Sequence, residues 1–388
     1  MATGFTVAQT GNYRADLDDI LIRRSYFDDS NLWVWGNNAY GQVGILSTDN
    51  VSRPTQITIG GTNWKQASGG GLHTAAIKSD GTLWLMGNGG GMLGDNTLVS
   101  KSSPVQTISG GTNWKQVGLG YYHSAAIKTD GTLWLWGTNG EGCLGNNSAI
   151  STSSPIQTIT GGTNWTQVAC NYRLSAAIKS DGTLWAWGKN GYGQLGDNTI
   201  IAKSSPVQTI AGGTNWKQVS CGVFHMVAIK TDGTLWTCGY NTDGRLGDNT
   251  VAHKSSPVQT IAGGNNWSQC SGGDSHTAAI KTDGTLWSWG GQGSYGQLGD
   301  NTKTNKSSPV QTIAGGTNWK MIAACRSNVA AIKTDGTLWC WGRNTHGQLG
   351  DNTTTNKSSP VQTILGGTNW TYVSVGEDVT IAVTGLTF

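Results

Sequence analysis

Charge is scarce in this chain. Asp, Glu, Lys and Arg make up 12% of its 388 residues, glutamate occurs only as Glu141 and Glu377, and the formal net charge is +3. No run of basic residues occurs, so no contiguous phosphate-binding stripe and no nucleic-acid partner is expected. No stretch approaches the roughly 20 apolar residues of a membrane span, and the N-terminus lacks the apolar segment of a secretion signal. A cytoplasmic location, or assembly into a virion, is the expectation. What the chain has in excess is glycine, at 59 residues, and tryptophan, at 19. Glycine at that level without a collagen period means many tight turns. That much tryptophan needs a large buried volume.

The tryptophans fall in register. Asn-Trp places Trp64, Trp114, Trp165, Trp216, Trp267, Trp319 and Trp370 at steps of 50 to 52 residues, and Leu-Trp places Trp33, Trp84, Trp134, Trp185, Trp236, Trp287 and Trp339 at the same steps. The other five, Trp35, Trp136, Trp187, Trp289 and Trp341, follow Leu-Trp by two residues, and all seven prolines are in register as well. A repeat of this length must be read before anything else. In the unit around Trp216 the pattern predicts four strands: Trp216–Ser220, His225–Lys230, Thr234–Cys238 and Pro257–Ile261. Thr-Asp-Gly after the second strand is a hairpin signal. Leu32-Trp33-Val34-Trp35 is apolar on both faces, as befits a strand sandwiched between neighbours. Proline at the start of the fourth strand suits an outer edge.

Four short antiparallel strands repeated radially make a propeller blade. A linear solenoid would carry degenerate capping units, and none is seen. The repeat also opens with third and fourth strands (Leu32–Trp35, Pro54–Ile57) and closes with first and second strands (Trp370–Val375, Val379–Val383). These halves make one blade. The expected fold is an all-β, seven-bladed β-propeller of four-stranded antiparallel blades over residues 31–388, closed by one split blade. A non-repeat arm, residues 1–30, precedes it. Its apolar Leu17, Ile20, Leu21 and Ile22 are expected to dock the ring onto a neighbouring subunit.

Asp-Gly-Thr-Leu-Trp followed by Trp-Gly-x-Asn-x-x-Gly-Gln-Leu-Gly resembles the regulator of chromosome condensation repeat. Trp185–Gly196 and Trp339–Gly350 match almost fully, while Gly87–Gly94 and Gly137–Gly145 depart at Gln and Asn. The resemblance covers residues 31 to 384 and implies a seven-bladed propeller. Known uses of the family include nucleotide exchange on a small GTPase, ultraviolet-B reception and β-lactamase inhibition. Units of 50 to 52 residues leave no room for the insertion that exchange uses, and the photoreceptor's Gly-Trp-Arg-His setting is absent. What the resemblance leaves is a face that binds a macromolecule. The near-exact units resemble bacterial and bacteriophage members, so a component of a phage virion or tail, or of a bacterial surface complex, is expected. The alternatives are a guanine-nucleotide exchange factor and a glycan-binding, lectin-like propeller.

Candidate chemistry is thin. His73, His123, His225 and His276 recur nine residues after the Asn-Trp tryptophan, but Leu174, Asn328 and Val379 take that position elsewhere. A sevenfold catalytic device is excluded, and structural hydrogen bonding is expected. The aspartates sit in Asp-Gly and Leu-Gly-Asp turns, where their side chains cap local amides. Cys143, Cys170, Cys221, Cys238, Cys270, Cys325 and Cys340 form no CxxC pair, and most replace small or apolar repeat residues. They are expected to be buried free thiols. No nucleophile elbow, phosphate loop or metal-binding helix occurs. The expectation is no catalytic residue, no cofactor and no metal. Tryptophan should fill wedges between blades. Seven exposed Asn-Trp turns would instead be lectin-like sugar platforms.

The loops differ on the two faces. Loops between second and third strands, and those between units, repeat almost unchanged. Loops between first and second and between third and fourth strands vary in every unit, and both glutamates lie there. Tyrosine and arginine are favoured anchors of interfaces. The candidate partner-binding residues are therefore Tyr40, Tyr121, Tyr122, Tyr172, Arg173, Tyr192, Phe224, Asp243, Asp274, Tyr295, Arg326 and His346. An aromatic cluster is expected around Tyr121, Tyr122, Tyr172 and Phe224, with a protein or a cell-surface glycan as partner.

Overall fold

The Asp-Gly-Thr-Leu-Trp motif closes a hairpin by itself. In the computed structural model, Asp130 Oδ1 accepts hydrogen bonds from the Thr132 amide (2.9 Å) and hydroxyl (2.7 Å), and the Trp134 indole donates to that hydroxyl at 2.9 Å. These bonds from Thr132 hold the Asp130 carboxyl below its usual range. Lys128, ending the second strand, lies over Trp114 at 4.9 Å and Trp134 at 4.7 Å. Its ammonium is thus held between two indole faces. Five other units repeat the arrangement, with Lys78, Lys179, Lys230, Lys281 and Lys333.

The structure describes residues 30–160, 162–262 and 264–385. The expected docking arm, residues 1–30, lies outside them but for its last residue. Six blades are continuous. Blade 4, for example, runs Trp216–Cys221, His225–Lys230, Leu235–Gly239 and Lys254–Gln259, all antiparallel. Blade 1 begins at Trp64, and blades 2, 3, 5 and 6 begin at Trp114, Trp165, Trp267 and Trp319. Blade 7 is split as expected. Asn31–Gly36 pairs with Val379–Thr384, Val51–Gln56 takes the outer edge and Trp370–Val375 the inner one.

The fourth strand departs most from the sequence reading, while the ends of the others shift by a single residue at most. The fourth strand starts three residues earlier, at Lys254, so Pro257 lies inside it. The register shifts between Thr237 and Gly239. Such a bulge on an outer edge leaves residues without a ladder partner, and proline, which has no amide hydrogen, is tolerated there.

The core lies between blades. Seven apolar clusters join neighbouring blades, one to each interface, including both flanks of the split blade. The Asn-Trp tryptophans are 1–3% exposed. At about 200 Å² per indole and ~25 cal/mol per Å², burying each contributes roughly 5 kcal/mol.

An indole hook crosses five of the seven wedges. The carbonyl of Met92 in blade 1 accepts from the Trp136 indole (2.8 Å) and the Ser124 hydroxyl (2.8 Å) of blade 2. The carbonyls of Cys143, Arg245, Gln297 and Gln348 accept Trp187, Trp289, Trp341 and Trp35 at 2.8–3.0 Å. Gly94 makes room. Its φ is +67°, and a Cβ there would stand 2.8 Å from the Trp136 indole nitrogen.

Three of the four recurring histidines tie one blade to the next, while His276 is fully buried with neither ring nitrogen bonded among the described residues. His73 and His123 are fully buried and meet Ser124 and Ser175 of the next blade at 2.8 Å, and His225 meets Thr277 at 2.9 Å. Burial pushes His73 and His276 down to about 3 and His123 to about 4. The seven cysteines are free thiols, five of them buried, and burial raises Cys143 and Cys170 to about 12.

Two outcomes follow from this packing. Truncation after Gly367 removes the inner half of blade 7 and should lower the melting temperature of the whole ring. Melting like that of the full chain contradicts closure by these strands. The second outcome concerns pH. The unfolded chain takes up protons on its histidines near 6.5, while the folded chain refuses them down to 3–4. Stability therefore falls as pH drops from 6.5 towards 4, by about 1.4 kcal/mol per pH unit per histidine. Urea titrations at several pH values should show the slope shallower by about two protons in His73→Asn/His123→Asn, the residue blade 6 carries at Asn328. An unchanged slope contradicts the assignment.

Candidate functional site

The variable loops converge on one end of the ring. Their shape follows from the histidine beneath them. Where a buried histidine is present, the loop opens with glycine: a Cβ on Gly70, Gly120, Gly222 or Gly273 would come within 2.1–2.7 Å of the imidazole. Where leucine or asparagine replaces histidine, in blades 3 and 6, the glycine is Asn171 or Cys325 instead. The next residue then takes a left-handed conformation, Tyr172 at φ +33° and Arg326 at φ +40°. Left-handed non-glycine residues carry strain and gather where a structure commits a side chain to a task.

Tyr172 is the hub of a chain of rings. It stands 6.1 Å from both Tyr121 and Tyr122 and 5.7 Å from Phe224. Phe224 continues to Tyr192 at 5.5 Å, Tyr192 to Tyr240 at 4.7 Å, and Tyr240 stacks on His253 at 4.5 Å. The arc spans blades 2 to 4, and its rings are half-buried except the exposed His253. Cations cover part of it. Arg173 lies over Tyr122 and Tyr172 and pairs with Glu141 at 3.5 Å. Lys189 lies over Tyr172 at 5.3 Å and Phe224 at 5.1 Å. Outside the arc, loops of blades 1 to 4 expose Leu98 (72%), Ile150 (78%), Ile200 (66%) and Val251 (61%). Blades 5 and 6 carry Lys303 and Thr354 where blades 1, 3 and 4 have Leu98, Ile200 and Val251.

Across the axis the face is charged. Asp378 accepts from Arg326 at 2.8 Å, from Arg343 at 3.0 Å and from the Gln348 amide at 3.0 Å, and it lies 3.5 Å from His346. Arg326 also pairs with Glu377. Burial raises Asp274, Glu377 and Asp378 above the usual carboxylate range, against the pull of these arginines. Arg245 is buried, pairs with Asp243, donates to the Asp274 carbonyl at 2.7 Å and lies under Tyr240 at 4.6 Å. The axial channel, about 430 Å³, runs from Gln66 and Gln116 to a mouth between the two halves that is lined by Tyr121, Tyr172, Phe224, Asp274, Arg326 and Glu377. Burial, then a hydrogen bond to Glu377, drives the Tyr121 phenol strongly upward.

The expected candidates thus divide. Tyr121, Tyr122, Tyr172, Arg173, Tyr192 and Phe224 form one patch, while Asp243, Asp274, Arg326 and His346 belong to the charged half. Tyr295 meets Arg343 at 5.6 Å. Tyr40 is 41% exposed on blade 7 and has no ring contact with the arc among the described residues. Sequence reasoning missed Lys189, Tyr240 and Arg343. All three follow the Trp-Gly-type strand end directly, a position that also holds Asn37, Asn88, Thr138 and Gly291. Its variability was the available signal. His253 was hidden in a capping position, where its Nδ1 accepts the Asn241 amide at 3.0 Å.

The Asn-Trp indoles fill the wedges and offer no sugar platform. Among the described residues, no group of three or more His, Cys, Asp or Glu side chains is placed to hold a metal. No helix there is long and apolar enough to cross a membrane.

Comparison with known proteins accords with this geometry. The RCC1-like domain matches residues 111–386, and the regulator of chromosome condensation repeat matches 29–77. The Arabidopsis thaliana ultraviolet-B receptor UVR8 is 32% identical over 196 residues, 50% of this chain and 44% of that protein. HERC4 of Rattus norvegicus, named as a probable E3 ubiquitin-protein ligase, is 35% identical over 354 residues, 87% of this chain. The chain spans only 32% of HERC4. The structure of Prp20p from Saccharomyces cerevisiae superposes with a TM-score of 0.82 at 20% identity, over 93% of this chain and 92% of that one. With the blade motif, the split closure and the domain match together, the chain belongs to the RCC1-like family of seven-bladed propellers.

Proposed function

We propose that this propeller is a non-enzymatic binding module that seats a protein partner on its variable face, centred on the arc from Tyr121 to His253. The observation that carries the reading is the continuity of that arc. Five repeat-breaking aromatic side chains and Tyr192, whose position also holds Tyr40 and Tyr295, come from three successive blades and meet in one chain with His253 at its end. Random variation at seven equivalent positions would scatter them. Tyrosine offers large rigid contact area at low entropic cost, and exposed aliphatic loops extend the apolar surface over the same blades. Larger contiguous apolar patches on a folded surface mark interaction sites.

The Prp20p structure is described with binding to Gsp1p and to histones, which supports protein recognition as a use of the architecture. Exchange on a GTPase is not favoured for this chain, because its units carry no insertion. A virion, tail or surface-adhesion role draws no support from these relatives.

Affinity capture with mass spectrometry supplies the partner, and titration then measures its binding. Tyr122→Ala/Tyr172→Ala/Phe224→Ala should weaken it by about 100-fold or more, with the melting temperature nearly unchanged. Undiminished binding in that variant, with loss on altering the Asn-Trp turns, moves the site to the opposite face.

A further inference from the structure

The sequence has no basic run, yet the fold assembles a basic ring. The second residue of each blade's first strand stands at the channel end opposite the variable loops. In blade order these are Lys65, Lys115, Thr166, Lys217, Ser268, Lys320 and Thr371. All are exposed but Ser268, which is half-buried. Lysine alternates with a hydroxyl residue around the axis, except where an odd number of blades brings Lys65 beside Lys115. The hydroxyls are spent within their own blades: Thr166, Ser268 and Thr371 donate to the carbonyls of Ile178, Ile280 and Val383 at 2.9–3.1 Å. The lysines are left as the ring's side-chain donors. Lys217, Lys320, Gln218, Gln269 and Thr371 border a recess of about 480 Å³.

The charge here is unbalanced. The outer lysines Lys101, Lys203, Lys254, Lys306 and Lys357 each pair with an aspartate. The four axial lysines have no carboxylate within 4.0 Å among the described residues. At this end of the ring ten lysines, these four and the six that close the second strands, stand against the six aspartates of the Asp-Gly turns, an excess of four. Like charges converging on an axis repel one another, and a ligand of several negative charges placed between them reverses the sign of that interaction. Lysine binds phosphate as a mobile point charge that accepts many orientations. The ring has no arginine.

We propose that this end of the channel binds a compact polyanion bearing several phosphate groups, with Lys217 and Lys320 bordering the recess and Lys65 and Lys115 completing the ring. The site is independent of the protein-binding reading, which concerns the other end of the channel.

The test is calorimetric titration of the full chain with sodium tripolyphosphate, with orthophosphate and hexaglutamate in parallel. One tripolyphosphate per propeller is expected, bound more tightly than orthophosphate and more weakly as salt rises. Lys65→Gln/Lys115→Gln/Lys217→Gln/Lys320→Gln should bind roughly 100-fold more weakly with an unchanged unfolding midpoint. Lys203→Gln, on the outer rim, should bind normally, as should the Tyr122/Tyr172/Phe224 variant. Absence of saturable binding, equal binding by the quadruple variant, or tighter binding of hexaglutamate overturns the proposal.

Discussion

An indole-to-carbonyl hook across five of the seven blade interfaces holds the ring together. The accepting carbonyl precedes Leu-Gly-type turns, as at Met92 and Cys143, and in place of the indole blade 4 offers the Cys238 thiol and blade 1 carries Met86. A blade alone cannot satisfy that carbonyl or that indole, nor cover the apolar faces beside them. A buried polar group left unpaired costs about 1–3 kcal/mol, so each hook penalises any arrangement other than the closed ring. The need for an indole of fixed placement, a glycine beneath it and a hydroxyl beside it keeps the units nearly identical. Composition rich in tryptophan and glycine and poor in charge is the same constraint seen in one dimension.

That rigidity separates the two ends of the channel. At one end the turns take part in the hairpin locks of Asp130, Thr132 and Trp134, and variation there would unpick the blade. At the other end the hook carbonyls and the Asn139-type side-chain bonds fix part of each loop, and only the residues between those points are free to differ. Blade 7, with Val379, keeps Gly376, but in blades 3 and 6 the loss of histidine comes with an exchange of the glycine for Asn171 and Cys325. The exchange puts Tyr172 and Arg326 into left-handed turns on nearly opposite sides of the mouth, one serving the aromatic half and the other the charged half.

Strand number, blade closure and the buried role of the tryptophans were legible because each rests on a pattern repeated seven times. The start of the fourth strand was not, since proline reads as a strand boundary until the bulge beside Gly239 shows it on an unpaired edge. The arc around Tyr172 was half legible. Its loop aromatics stand out as departures from the repeat, whereas Tyr240 and His253 join through contacts between loops of different blades. The axial lysines were illegible as a group. They are 50 to 103 residues apart in the chain, and only the circular closure makes them neighbours.

The claim on which the rest depends is that these hooks make the ring a single cooperative unit. Gly94→Ala addresses it directly, because the added methyl must displace the Trp136 indole and must also occupy φ +67°. Thermal unfolding followed in parallel by tryptophan fluorescence and far-ultraviolet circular dichroism should show one transition, with both probes shifted together to a lower temperature. A two-step transition, in which blades 1 and 2 melt early while the remainder unfolds at the original temperature, would contradict the account.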